Sequence, residues 1–219
     1  MASNIEIAQE TRAIVRRGRR LEYFTIAYNC LEGIVSLIAG VFAGSISLIG
    51  FGLDSFIEVT SGAALIWRLG HETDAGRRAM AERTSLRIVG ACFSALAAYV
   101  AYDAARALIL GETPERSVPG ILIAIASLIV MPLLARAKRK VSRALNSSAM
   151  HADSRQTDFC TYLSAIVLAG LLLNAVFGWW WADPVAALAM VPIISKEALD
   201  ALRGRPCCGC SGDTCHGGS

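Results

Sequence analysis

The sequence predicts an all-α integral membrane protein of six transmembrane helices with both termini cytoplasmic, and three observations predict it. Hydrophobic residues make up 54% of the 219, above the roughly 45–50% of soluble domains, and the mean hydropathy is +0.49. Charge gathers in short blocks between six long apolar runs, whereas a soluble helical protein carries charged faces throughout. The basic blocks fall on alternate connections, as one-sided retention of Lys and Arg requires.

Residues 1–22 form a basic cytoplasmic segment whose opening, MASNIEIAQETRAIVRRGRR, has no apolar stretch of signal-peptide length, so no cleaved signal is expected. The apolar runs follow at about 23–43, 46–67, 86–110, 118–135, 158–178 and 183–200, within a six-helix domain spanning 23–203. A hydrocarbon core about 30 Å thick needs about 20 helical residues, and each run is near that length. Backbone groups in lipid must bond within their own segment, so the runs are helices. The short alternating strands of a membrane barrel are not seen.

Arg12, Arg16, Arg17, Arg19 and Arg20 precede the first run, and Arg68, Arg77, Arg78, Arg83 and Arg87 lie at or between the second and third. Arg136, Lys138, Arg139, Lys140, Arg143 and Arg155 lie between the fourth and fifth, and Lys196, Arg203 and Arg205 end or follow the sixth. The opposite side receives Arg106 and Arg116, which puts both termini in the cytoplasm and the protein in the cell (inner) membrane. The outer connections are a tight AGS at 43–45, the Pro/Gly turn GETPERSVPG, and FGWWWADP, whose Trp179, Trp180 and Trp181 read as an interfacial anchor. The stretch 136–155 reads as a solvated basic connector, and a net charge of +3 gives no reason to expect nucleic acid.

Ionisable groups inside a membrane cost roughly 2.5–3.5 kcal/mol each on insertion scales and mark function by default. Asp54 and Glu58 lie well inside the second run at i, i+4, on one helical face. Two like charges so placed repel unless protons or a cation neutralise them, and an all-oxygen pair is a sensible half of a hard or borderline cation site. The fifth run supplies the other half. Asp158 is its deepest carboxylate, His151, Ser154 and Asp158 share one stripe, and Asp153 shares another with Thr157. Asp153 and Asp158 differ by about 140° on an ideal helix, so both reach one small ion only with local distortion. Asn29 and Glu32 in the first run, and Asn174 in the fifth, are weaker signals. Asp103 and Arg106 are spaced to pair with each other, and Asp183 before Pro184 reads as a helix start. Cys30, Cys92 and Cys160 fall singly in apolar runs and read as small buried hydrophobes.

These residues resemble a known family. GSISLIGFGLDSFIE resembles the second helix of the cation diffusion facilitators, whose His/Asp-x-x-x-Asp motif stands here as Asp54-x-x-x-Glu58. ADSRQTDFCTYLSA resembles the family's fifth helix, usually His-x-x-x-Asp, with Asp158 at the aspartate and Ser154 at the first ligand. ADPVAALAMVPIISKEAL resembles the sixth helix, and Asn29 with Gly33 fits the first; most of 20–203 is covered. The resemblance implies exchange of Zn²⁺ or a similar divalent ion for protons by alternating access, usually in a homodimer, with the ion between helices 2 and 5. The metal is cargo, and no cofactor is required. With Glu58 and Ser154 at motif positions the histidine ligand is missing, so either Asp153 substitutes or the site is oxygen-only, which favours Mn²⁺, Fe²⁺ or Co²⁺ more than a histidine site does. The resemblance also implies a short branch without the family's cytoplasmic C-terminal domain.

Residues 204–219 read instead as a flexible cytoplasmic tail in which Cys207, Cys208, Cys210, Cys215 and His216 crowd together. Thiols and an imidazole so close suit a soft or borderline ion, although the spacing matches no defined zinc module. Three function classes follow. The first is a secondary divalent-cation transporter, in which Asp54→Ala or Asp158→Ala is expected to abolish transport while the protein still inserts. The second is a non-transporting metal sensor or partner subunit on the same fold. An enzyme is not expected, because neither a nucleophile elbow nor a His-Glu-x-x-His motif occurs.

Overall fold

The structure is a computed structural model; it describes residues 2–70, 75–145 and 148–203, with side-chain positions over 13–63, 66, 87–145, 150–151 and 153–203. The clustered cysteines and His216 of the tail lie outside the described residues. Six helices run in order: α1 (Ala2–Ala43), α2 (Ile46–Gly70), α3 (Ala75–Leu110), α4 (Val118–Leu145), α5 (Ser148–Phe177) and α6 (Ala182–Leu202). Each contains one expected apolar run. Helix α2 packs against α1, α3, α5 and α6, α1 and α5 flank α4, and α6 lies against α3 and α5.

The bundle is apolar outside, and its interior combines an apolar core with a line of buried polar side chains. On α4 the exposed stripe is Val118, Leu122, Ile125, Ile129 and Leu133, and on α1 it includes Leu31, Ile34, Ile38 and Val41. Such faces are at rest only against lipid. Among the described residues four helical stretches are long and apolar enough to cross a membrane by themselves: Ala13–Ala43, Arg87–Leu110, Val118–Leu145 and Asp153–Phe177. Helices α2 and α6 carry charged residues within their apolar runs, Asp54 and Glu58 on the first and Asp183, Lys196, Glu197 and Asp200 on the second. Their neighbours in the bundle cover much of these faces.

The connections α1–α2, α3–α4 and α5–α6 share one device. Gly44, Gly111 and Gly178 each follow the last residue of α1, α3 and α5 with φ of 63°, 67° and 68°. This left-handed geometry ends helices and suits residues without a Cβ. At the other end the helices run on past the apolar segments. Helix α1 already begins at Ala2, and most of 136–155 is helical, α4 reaching Leu145 and α5 starting at Ser148. The solvated-connector reading of 136–155 is therefore corrected: Lys138, Val141, Ser142, Met150, Asp153 and Ser154 are all buried. Val141 and Met150 pack with Ile14, Leu21 and Leu145 into a second small core that holds these extensions together. Cys160 is buried as expected, whereas Cys30 is half-buried and Cys92 exposed on the outer face.

Helices α1 and α2 approach closely at Gly33 and Gly52, and again at Gly40, where a Cβ would stand 2.9 Å from the Ile49 amide nitrogen. A Cβ on Gly33 would stand 2.8 Å from the Phe56 ring and 3.1 Å from the Gly52 carbonyl oxygen, and one on Gly52 would stand 3.0 Å from the Leu37 amide nitrogen. This contact draws the polar faces of the two helices together.

Candidate cation-binding seam

Helix α1 contributes a continuous polar stripe. Glu22, Thr25, Asn29, Glu32 and Ser36 recur at three- and four-residue spacing and are essentially inaccessible. Asp54, Ser55 and Glu58 of α2, Ser127 and Lys138 of α4, and Asp153, Thr157, Cys160 and Ser164 of α5 are likewise buried. Together they form a polar seam along the axis of an otherwise apolar bundle.

The seam is stitched by hydrogen bonds between helices. Thr157 Oγ1 donates to Glu58 Oε1 at 2.8 Å, joining α5 to α2. Ser55 Oγ donates to Glu32 Oε2 at 3.0 Å, joining α2 to α1. The Cys160 thiol lies 3.8 Å from the same Glu32 oxygen, and Ser164 Oγ donates to Ser127 Oγ at 2.8 Å, joining α5 to α4. Even so, Glu32 Oε1, Glu58 Oε2 and both amide atoms of Asn29 are buried with no hydrogen-bond partner. Buried polar atoms are normally satisfied, so this is a concentration of three unmet acceptors and one unmet donor between α1, α2 and α5. Among the described residues, no three His, Cys, Asp or Glu side chains converge closely enough to hold one ion as they stand.

The expected site residues are distributed as follows. Asp54 and Glu58 are both buried in the seam. On α5 the stripe that meets α2 is the one carrying Asp153 and Thr157. Asp153 Oδ2 accepts from Lys138 Nζ at 2.5 Å, and Lys138 Nζ also lies 3.2 Å from Glu22 Oε2. Asp158 is 29% exposed and ion-paired with Arg139. Ser154 is buried and its hydroxyl donates to the His151 carbonyl at 2.7 Å, while His151 itself is exposed. Of the weaker signals, Asn29 and Glu32 line the seam, and Asn174 donates to the Pro114 carbonyl at 2.9 Å in the outer connection. Arg106 lies 3.6 Å from Asp103 as its spacing implies, but is closer to Glu112 at 3.0 Å.

Sequence reasoning passed over Glu22, Lys138, Thr157 and the setting of Cys160. The regular spacing of Glu22, Thr25, Asn29, Glu32 and Ser36 was the signal available. Asp183 also does more than start α6. Fully buried, it accepts from the Ile46 amide at 2.9 Å and from the Ser45 hydroxyl at 2.6 Å, and it is also bonded by the Ser47 hydroxyl. A carboxylate from α6 thus caps the N-terminus of α2, where the helix dipole favours negative charge.

A six-helix membrane bundle with an apolar jacket and an acidic inner seam defines a class of polytopic membrane transport proteins. The chain belongs to the cation efflux family: the model of the cation efflux transmembrane domain matches residues 23–204. It is 27% identical over 180 residues to the cation-efflux pump FieF of Shewanella oneidensis, covering 76% of this chain and 58% of that one. It is 28% identical over 182 residues to an uncharacterized transporter of Methanocaldococcus jannaschii, covering 80% and 64% of the two chains. An uncharacterized transporter of Synechocystis matches at 27% over 179 residues, 77% of this chain and 57% of the other. The match thus spans about three-fifths of the length of these relatives. The family is one of transporters, not enzymes.

Proposed function

We propose that the protein is a secondary transporter of divalent metal cations, exporting them by proton antiport through a carboxylate site between α2 and α5. The observation that carries this reading is the Asp54–Glu58 pair, buried on α2 beside α5, with Glu58 Oε2 unpartnered. Such a pair needs positive charge, as protons or as a metal ion. Replacing one divalent ion by two protons leaves the charge of the site unchanged, which is the physical basis for antiport. Helix α5 supplies the remaining oxygens, through Asp153 on the stripe facing α2 or through Asp158 once Arg139 releases it. The cargo is Zn²⁺ or a similar ion among Cd²⁺, Co²⁺, Fe²⁺ and Mn²⁺. The chain sits in the cell membrane with cytoplasmic termini, and the one support for pairing as a homodimer is the family resemblance.

Metal uptake into proteoliposomes by the wild type, Asp54→Ala and Glu58→Gln proteins tests the reading. Loss of flux in both variants, with folding and insertion intact, is expected; full activity in either removes the pair from the pathway. A second reading has one observation in its favour: Lys138 and Arg139 already neutralise both α5 carboxylates. A bundle so balanced could serve as a non-transporting metal sensor or partner subunit, and metal binding without flux selects that reading.

A further inference from the structure

Lys138 is fully buried on α4, in register with Met131, Leu134 and Ala135 on the inward face. The register of the helix, rather than a side chain reaching back from the surface, puts its ammonium in the seam. Nζ has three oxygens around it: Asp153 Oδ2 at 2.5 Å, Glu22 Oε2 at 3.2 Å and Thr157 Oγ1 at 3.3 Å. Two carboxylates and a hydroxyl from two different helices are the donor set that a hard divalent cation takes. Each carboxylate keeps a second oxygen, Glu22 Oε1 and Asp153 Oδ1, buried without a hydrogen-bond partner. One monovalent ammonium therefore leaves the position short of positive charge and of ligand contacts. The Thr157 hydroxyl also donates to Glu58 Oε1 at 2.8 Å, so this position adjoins the Asp54–Glu58 pair through a single shared side chain.

We infer that Glu22, Asp153 and Thr157 form a second divalent-cation position in the seam, and that Lys138 occupies it as a built-in competitor. The tethered ammonium limits how many metal ions the seam holds and sets how tightly it holds them. Removing one partner of a buried ion cluster leaves uncompensated charge and is strongly destabilising, unless another cation takes the place. The inference rests on reading the seam as a path for divalent cations, but it is tested by counting bound ions rather than by flux.

The test is equilibrium binding of Cd²⁺ and of Mn²⁺ to the purified full chain in detergent, with thermal melting followed in parallel. Lys138→Met is expected to bind one more divalent ion per chain than the wild type, and its melting temperature should rise with added metal more than the wild type's does. Lys138→Arg keeps the charge and should keep the wild-type stoichiometry. Lys138→Met combined with Glu22→Gln should lose the additional ion. Adding Asp54→Ala to Lys138→Met should leave the additional ion in place, separating failure of the α2 site from failure of this one. If Lys138→Met folds only when made with divalent metal, the inference also stands. Wild-type stoichiometry with no extra metal stabilisation overturns it, as does a variant that metal fails to restore.

Discussion

The Thr157 hydroxyl of α5 donates to the Glu58 carboxylate of α2 at 2.8 Å, with Thr157 fully buried and Glu58 nearly so. This bond ties the two helices that the cation site needs. Thr157→Val keeps the shape and removes the donor, leaving another oxygen of Glu58 unpaired at a cost of about 1–3 kcal/mol. Metal uptake against concentration should show weaker apparent affinity in this variant. An unchanged KM would mean that the bond serves packing alone.

Asp153 and Asp158 separate by their partners. Asp153 stands on the stripe facing α2, bound to Lys138, whereas Asp158 is 29% exposed and bound to Arg139. Asp158→Ala, which the sequence alone would have abolish transport, should therefore keep substantial uptake, and Asp153→Asn should lose it. The reverse order in proteoliposome assays would show that Asp158 leaves Arg139 and turns into the site during transport.

Much of this architecture was legible in the sequence. Six apolar runs, alternating basic blocks and the i, i+4 pair Asp54–Glu58 gave the helices and half of the seam. Lys138 was not legible, because it sits in a run of basic residues that reads as solvated. Only the convergence of α1, α4 and α5 provides Glu22 and Asp153 as buried partners. Periodicity within one helix shows which side chains share a face, but not what an adjacent helix offers at that depth. Thr157 and Cys160 escaped for the same reason. Asp183 was legible as a helix start; its capping of α2 joins segments 137 residues apart.

Asp183→Ala removes the carboxylate that accepts from the Ile46 amide and from the Ser45 and Ser47 hydroxyls. A lost cap costs about 0.5–2 kcal/mol, and unpaired buried donors add to that. The melting temperature in detergent should fall clearly, and Asp183→Asn should restore part of the loss. If both variants melt like the wild type, α2 does not depend on this cap.

The Gly33–Gly52 crossing leaves no room for a side chain. In Gly52→Ala the added methyl would meet the Leu37 amide nitrogen and the Gly33 carbonyl oxygen at 3.0 and 3.1 Å, so backbone must move. Overpacking of this kind costs about 1–3 kcal/mol. Lower thermal stability is expected, and wild-type melting would show that α1 and α2 separate freely at this point.

Deleting residues 207–219 tests the thiol cluster. Uptake at low metal concentration should weaken while uptake at saturating metal persists, as expected if the cluster captures ions for the seam. Identical curves at every concentration would leave the cluster without a part in transport.

The most direct measurement records proton and metal fluxes together in proteoliposomes bearing a pH gradient, with Zn²⁺, Cd²⁺, Co²⁺, Fe²⁺ and Mn²⁺ in turn and Asp54→Ala alongside. Metal movement that depends on the gradient, is matched by counterflow of protons, and vanishes in Asp54→Ala is the predicted result. Folded protein that moves none of these ions, or an Asp54→Ala protein that moves them as the wild type does, would contradict the account.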